Sequence, residues 1–230
     1  MDDNRARHGS RNELSSTYVD EFRDSTWAEK IMVSSANLLV NYNPPSITAK
    51  SDMRWFWIDR FESFVSGTEA TAIKNVTLAE EPLDDYLPGY PHYPAALIIE
   101  GMAQTGGILV SQMEQFQSRV VLAKVSKAEF SFIAQPGDQL LLTARLLSGH
   151  KDGAICEGLV TVNCQKQAEL ELTFAKLDES FGAESFFVPG DFCRILRSLR
   201  LFEVGVNPDG SPIQIPEHML RDERECLVDR

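Results

Sequence analysis

The run PAALIIEGMAQTGGILVSQME, residues 94–114, is apolar around almost its whole circumference. A helix of that composition has no face to give to water, so other elements must wrap it. Pro94 suits the first helical position, where its missing N–H would have no partner anyway. The run therefore predicts one long central helix over roughly 94–114, buried within whatever else the chain builds.

Residues 68–177 supply the wrapping. TEATAIKNVTLAE (68–80) has strand composition around Ile73, Val76 and Leu78. RVVLAKVSKAEFSFIA (119–134) is β-branched and aromatic, and it ends at QPGDQ, a turn on Pro136-Gly137. LLLTARLLS (140–148), AICEGLVTVN (154–163) and QAELELTFAKL (167–177) follow across short turns. In the last of these, Ala168, Leu170, Leu172 and Phe174 alternate with Glu169, Glu171 and Thr173. That is the pattern of an antiparallel strand buried on one face. One helix wrapped by an antiparallel meander predicts an α+β fold.

The flanks differ in texture. Residues 1–52 are polar and irregular and read as a partly disordered N-terminal extension; 53–178 form the folded domain. Residues 179–230 read as a C-terminal extension of accessory packing or disorder, with a basic amphipathic helix, DFCRILRSLRLF, and an acidic tail. The aromatic cluster Trp55, Phe56, Trp57, Phe61 and Phe64 reads as core and subunit packing.

Charge narrows the partners. A net charge of −12 over 230 residues disfavours nucleic acid, which demands a basic face, and anionic membrane surfaces. Arg194, Arg197 and Arg200 still form a local basic row on which an acidic carrier protein can land, though such rows more often pair with nearby acids. No apolar run reaches the length of a membrane span and nothing resembles a signal peptide, so a cytoplasmic location is expected. The cysteines at 156, 164, 193 and 226 lack metal-ligand spacing, which predicts reduced thiols and no metal site.

Within the apolar helix, Glu100, Gln104, Gly107 and Ser111 fall on one face. A carboxylate among apolar neighbours costs several kcal/mol unless it is paired or its pKa rises toward neutrality. A carboxyl group so tuned can give or take a proton, which makes Glu100 a candidate catalytic residue. The alternative is a structural pairing with a buried arginine. At the helix entry the free N–H groups near Ala95 and Ala96 carry partial positive charge and can polarise a carbonyl oxygen. Gly106-Gly107 reads as close backbone packing or as ligand contact.

The segments AIKNVTLAEE, PGYPHYPAALIIEGMAQTGGIL, RVVLAKVSKAEFSFIAQPGDQLLL and AELELTFAKL, in that order, resemble the hotdog-fold β-hydroxyacyl-[acyl-carrier-protein] dehydratases of fatty-acid synthesis. The resemblance runs from about Met53 to Leu177. It implies a hotdog sheet around the central helix, a homodimer or higher homo-oligomer, and a site built from both chains beside an acyl tunnel. It implies a 3-hydroxyacyl thioester substrate on the phosphopantetheine of an acyl carrier protein, or on coenzyme A, with no metal or redox cofactor.

Glu100 falls on the family's helical carboxylate, and Ala95 on its helix-start glycine, keeping the N–H. Ala96, Gln104 and Gly107 then border the substrate, and Phe130 and Phe132 either line the acyl tunnel or belong to the core. The family's catalytic histidine, fourteen residues before Glu100, is replaced by Tyr86. A phenol with a pKa near 10 is a poor base near pH 7, though it can donate a hydrogen bond. His92, six residues on, is the other candidate base. A dehydratase, a non-catalytic acyl-thioester-binding paralogue and a Glu100-dependent thioesterase all fit this scaffold.

Overall fold

A computed structural model of the chain describes residues 56–80, 83, 89, 91–177 and 187–228, with side chains as far as 225. Residues 1–52, Met53, Trp55 and Tyr86 lie outside the described residues. The elements run β1 (Arg60–Val65), β2 (Glu69–Asn75), α1 (Ala95–Gln112), β3 (Arg119–Phe130), β4 (Gln139–His150), β5 (Gly153–Val162) and β6 (Gln165–Leu177). The C-terminal part adds α2 (Pro189–Ser198), α3 (Leu201–Val204), β7 (Gly205–Val206) and α4 (Glu217–Val228).

One seven-stranded sheet, in the order β3-β6-β5-β4-β2-β1-β7, curls around α1. It is antiparallel apart from the two-residue parallel pairing of β7 with β1. This is the α+β arrangement that the helix and the meander predicted, and the hotdog fold that the resemblance implied. The alternation in β6 does what its pattern required: Ala168, Leu170, Leu172 and Phe174 are each at most 2% exposed. They meet Met102 and Leu109 of α1, both fully buried. Two glycines bring helix and sheet together. A methyl group on Gly106 would lie 3.0 Å from the Phe174 ring, and one on Gly158 only 2.8 Å from Met102 Cγ. Gly106 therefore marks close packing. The β5–β6 hairpin turns on Asn163 and Cys164, both at positive φ, as a two-residue turn matching the strand twist requires.

Several expectations need correction. Pro94 is the N-cap, one residue before the helix, not its first member. Strand β2 stops at Asn75, so Leu78 lies in a turn and is 64% exposed. Phe132 lies in the bend after β3 rather than on the strand. Phe61 and Phe64 are three apart, a spacing that puts strand side chains on opposite faces. Both are nevertheless buried, with rings 5.3 Å apart edge to face, because a bulge between Phe61 and Ser63 resets the register.

The C-terminal part is ordered packing rather than a loose tail. Leu199 O accepts a hydrogen bond from Phe61 N, and Val206 O accepts one from Ser66 N, which stitches this part to the β1 edge. Cys193, Leu196 and Leu201 are fully buried there. The basic helix ends at Ser198, two residues before Arg200, which adopts a left-handed conformation and starts α3. Its arginines are all occupied: Arg194 by Asp191, Arg197 by Glu223 at 3.1 Å, and Arg200 by Glu203 at 2.7 Å. The row is thus neutralised locally.

Gly190 seats α2 on α4, since a Cβ there would lie 2.7 Å from the backbone of Asp222 and Glu223. Gly190→Ala is expected to lower stability by about 1–3 kcal/mol through forced separation of the two helices. Urea unfolding measures the loss, and an unchanged midpoint would show that the helices part freely.

Candidate active site

The polar stripe on α1 is the open side of the helix. Ala96 and Glu100 are exposed in the single chain, and Ala95, Gln104 and Gly107 are half-buried. Only Ser111, at 8%, is enclosed as a fully wrapped helix would require. The sequence expectation of burial on every face therefore fails along this stripe, and Glu100 lies at its centre.

Glu100 is held from behind. Gln104, one turn on, donates from Nε2 to Glu100 Oε1 at 3.0 Å, and its own Oε1 accepts the backbone N–H of Trp57 at 2.8 Å. The chain before β1 runs close enough for this because position 101 is glycine: a Cβ there would sit 3.2 Å from Trp57 O. A backbone donor thus orients an amide, and the amide orients the carboxyl group. No lysine or arginine pairs with Glu100 among the described residues. Its outer surface is open, yet the surrounding protein atoms still desolvate the carboxyl. Burial pushes its pKa up, and the Gln104 hydrogen bond pulls part of the way back.

That balance gives a prediction with a definite sign. Gln104→Leu removes a donor to the charged form, so the Glu100 pKa should rise further. Any activity that needs the protonated acid should then persist to higher pH while its maximum falls, because the carboxyl group is no longer oriented. A pH–rate profile checks both effects. An alkaline limb that moves to lower pH would contradict the assignment.

At the helix entry, Pro94 O accepts Leu97 N at 3.0 Å and Ile98 N at 3.3 Å, and no side chain caps the helix. The N–H groups of Ala95 and Ala96 have no acceptor among the described residues. They and Glu100 therefore lie along one open helix face. His92 stands two residues before Pro94, half-buried, and burial lowers its pKa. Burial thus favours the neutral imidazole. Tyr93 is buried and anchored through its N–H to Ala134 O at 2.9 Å.

The remaining candidates pack against the core. A methyl group on Gly107 would lie 3.6 Å from the Phe174 ring, and Phe130 and Phe132 are partly buried on the core's edge. Gln167 was not among the expected residues. It is 1% exposed, donates from Nε2 to Phe132 O at 2.7 Å, and leaves Oε1 without a partner among the described residues. By the alternation Gln167 falls with Glu169 and Glu171 on the open face, and its burial accompanies a register shift against Val160 and Thr161 that no pattern within the strand announces. Cys156, Cys164 and Cys193 are free thiols, and no group of three metal-ligating side chains occurs among the described residues.

The geometry can now be set beside known proteins. A family model described as the FabA-like domain matches residues 52–170. The chain belongs to the FabA-like family. A 3-hydroxyacyl-[acyl-carrier-protein] dehydratase FabZ from Clostridium acetobutylicum is 34% identical over 118 residues, which cover 51% of this FabA-like chain and 84% of that relative. A protein of the same name from Listeria monocytogenes is 40% identical over 124 residues, covering 53% and 85%. Among solved structures, the dehydratase heterocomplex ApeI:P from Xenorhabdus doucetiae aligns with a TM-score of 0.49 at 16% identity, over 56% of this chain and 88% of that one. The family-model match ends at residue 170, before the helices of the FabA-like chain's C-terminal part.

Proposed function

We propose that this chain dehydrates (3R)-3-hydroxyacyl thioesters carried on an acyl carrier protein, with Glu100 as the acid and with slow turnover. Glu100, desolvated, oriented by Gln104 and free of any cationic partner among the described residues, carries this reading. FabA-like membership and the FabZ relatives supply the substrate class.

In the reaction a base takes the C2 proton, and the C2–H electron pair becomes the C2=C3 double bond. The C3–O bond breaks with its pair on oxygen, and the Glu100 carboxylic acid protonates that oxygen so that it leaves as water. Charge gathers on the thioester oxygen as C2 is deprotonated, and backbone N–H groups such as those of Ala95 and Ala96 stabilise it. The steps need only proton transfer and oriented dipoles, so no metal or redox cofactor enters.

On the sequence resemblance, Tyr86 replaces the family histidine that would take the C2 proton. A phenol leaves that step short of a base, and the missing group is worth about 10²–10⁴ in rate. His92 is the alternative base. The open stripe at Ala96, Glu100 and Gln104 fits completion by a second copy of the chain, which would place the acyl tunnel and Phe130 at the boundary between subunits.

Incubation of the protein with a 3-hydroxyacyl-carrier substrate, assayed for both enoyl product and free carrier thiol, tests the proposal. Slow enoyl formation without thiol release is expected. Thiol release alone would make the chain a Glu100-dependent thioesterase, and neither product a non-catalytic binder.

A further inference from the structure

Lys74 is a charged side chain placed almost wholly inside the fold. It sits on β2, 9% exposed, with its Nζ 3.1 Å from Glu80 Oε1 and 3.6 Å from Asp59 Oδ1. Its ammonium also lies 5.9 Å from the centroid of the Tyr93 ring, within cation–π range. These contacts join parts of the chain that are distant in sequence. Asp59 precedes β1, and its Oδ2 accepts Asn75 N at 2.7 Å and Asn75 Nδ2 at 2.8 Å. Glu80 closes the turn after β2 by accepting Thr77 N at 3.0 Å. Tyr93 is 3% exposed and leads through Pro94 directly into α1.

A buried ammonium is costly, and two carboxylates on one side with an aromatic face on the other are the kind of shell that offsets it. Were core stability the only requirement, an apolar residue at position 74 would serve as well. What the charge adds is direction, because it holds Glu80 and Tyr93 to one point. The Tyr93 hydroxyl shows the cost. It is buried without a hydrogen-bond partner among the described residues, and burial, then Glu80, then Asp59 raise its pKa. That ring is kept in place at the expense of its own polar atom.

We infer that Lys74 is a positioning residue, a clasp that binds Glu80 to Tyr93 and so sets where the extended segment His92-Tyr93-Pro94 delivers the free N–H groups of Ala95 and Ala96. The catalytic part of this inference rests on the dehydratase reading; the structural part does not. Lys74 touches no reacting atom. It acts through Tyr93, whose N–H is tied to Ala134 O, and through Pro94, whose carbonyl starts the helix.

Amide hydrogen exchange on the full chain tests the clasp without substrate. The reporters are Tyr93 N, Leu97 N and Ile98 N, each hydrogen-bonded at the helix entry. Lys74→Met should speed their exchange by about tenfold or more, while amides in β5 and β6 keep wild-type rates. Arg145→Met, which breaks an exposed ion pair with Glu69 on the same sheet, serves as control and should change none of them. Lys74→Arg should restore protection. Lys74→Met combined with Glu80→Gln leaves one fewer buried carboxylate unpaired, and should show the same local change should the single variant not fold.

In the enoyl assay, Lys74→Met should lower kcat by roughly 10–10² with KM little altered, since misplacement rather than lost binding is at issue. Unchanged exchange at the three reporters, or a rise spread evenly over the sheet, would overturn the clasp. A wild-type chain that forms no enoyl product would instead count against the dehydratase reading, and the exchange result would still decide the role of Lys74.

Discussion

Tyr86→His is expected to raise enoyl formation by about 10²–10⁴. A phenol with a pKa near 10 is about one part in a thousand phenolate at pH 7, whereas most of an unperturbed imidazole is neutral and able to accept a proton. Tyr86 lies fourteen residues before Glu100, and on the proposed reading it replaces the base, with a phenol ring where an imidazole ring would serve. The other groups the proposal calls on are ordered: Gln104 bonds Glu100 and Trp57 N, and no side chain caps the helix start. The gain should appear in kcat with KM nearly constant, because a base acts on the reacting proton rather than on binding. No gain would mean that the C2 proton is taken elsewhere. His92→Ala is the companion measurement. A large loss from His92→Ala in the wild-type background would move the base to His92.

Glu100→Gln carries the second large effect. Glutamine keeps the size of the side chain but cannot deliver a proton to the departing hydroxyl. Enoyl formation should fall by about 10²–10⁴, and more if acid and base act as a unit. Stability should change little or rise slightly. The sign follows from the raised pKa: the folded state favours the neutral carboxyl, so ionising Glu100 at neutral pH opposes folding, and a neutral amide removes that penalty. Loss of activity together with retained or increased stability separates a functional carboxylate from a structural one. Enoyl product that survives Glu100→Gln unchanged would remove Glu100 from the mechanism.

Much of the fold was legible because its periods are strong. The 168–174 alternation is buried on the face its period required, and the apolar run at 94–114 forms the central helix, although burial on every face of that helix did not hold. What escaped depended on contacts between distant residues. The bulge that turns both Phe61 and Phe64 inward is a register effect between β1 and β2, and no pattern within RFESFV announces it. Leu78 has strand chemistry, yet the chain has already turned to let Glu80 reach Lys74. For the C-terminal part the sequence left accessory packing and disorder both open, and the backbone bonds to β1 that order it are not encoded in a local pattern.

At the site, the helical spacing placed Glu100 and Gln104 together, but the partner that orients Gln104 is a backbone N–H forty-seven residues away. Any residue at position 57 other than proline would offer that N–H, so its sequence carried no mark. The openness of the stripe was equally hidden, since a polar residue in an apolar run reads as buried until the wrapping is seen to stop short of it.

The fate of the water oxygen distinguishes dehydration from thioester hydrolysis most directly. Incubation of the wild-type protein with a 3-hydroxyacyl-carrier thioester in oxygen-18 water, followed by mass spectrometry, locates it. Reversible loss and return of water should place the label on the C3 oxygen of the intact thioester, slowly in the wild type, faster in Tyr86→His and far more slowly in Glu100→Gln. Label found only in a released carboxylate, or no label at C3 even in Tyr86→His, would contradict the central claim.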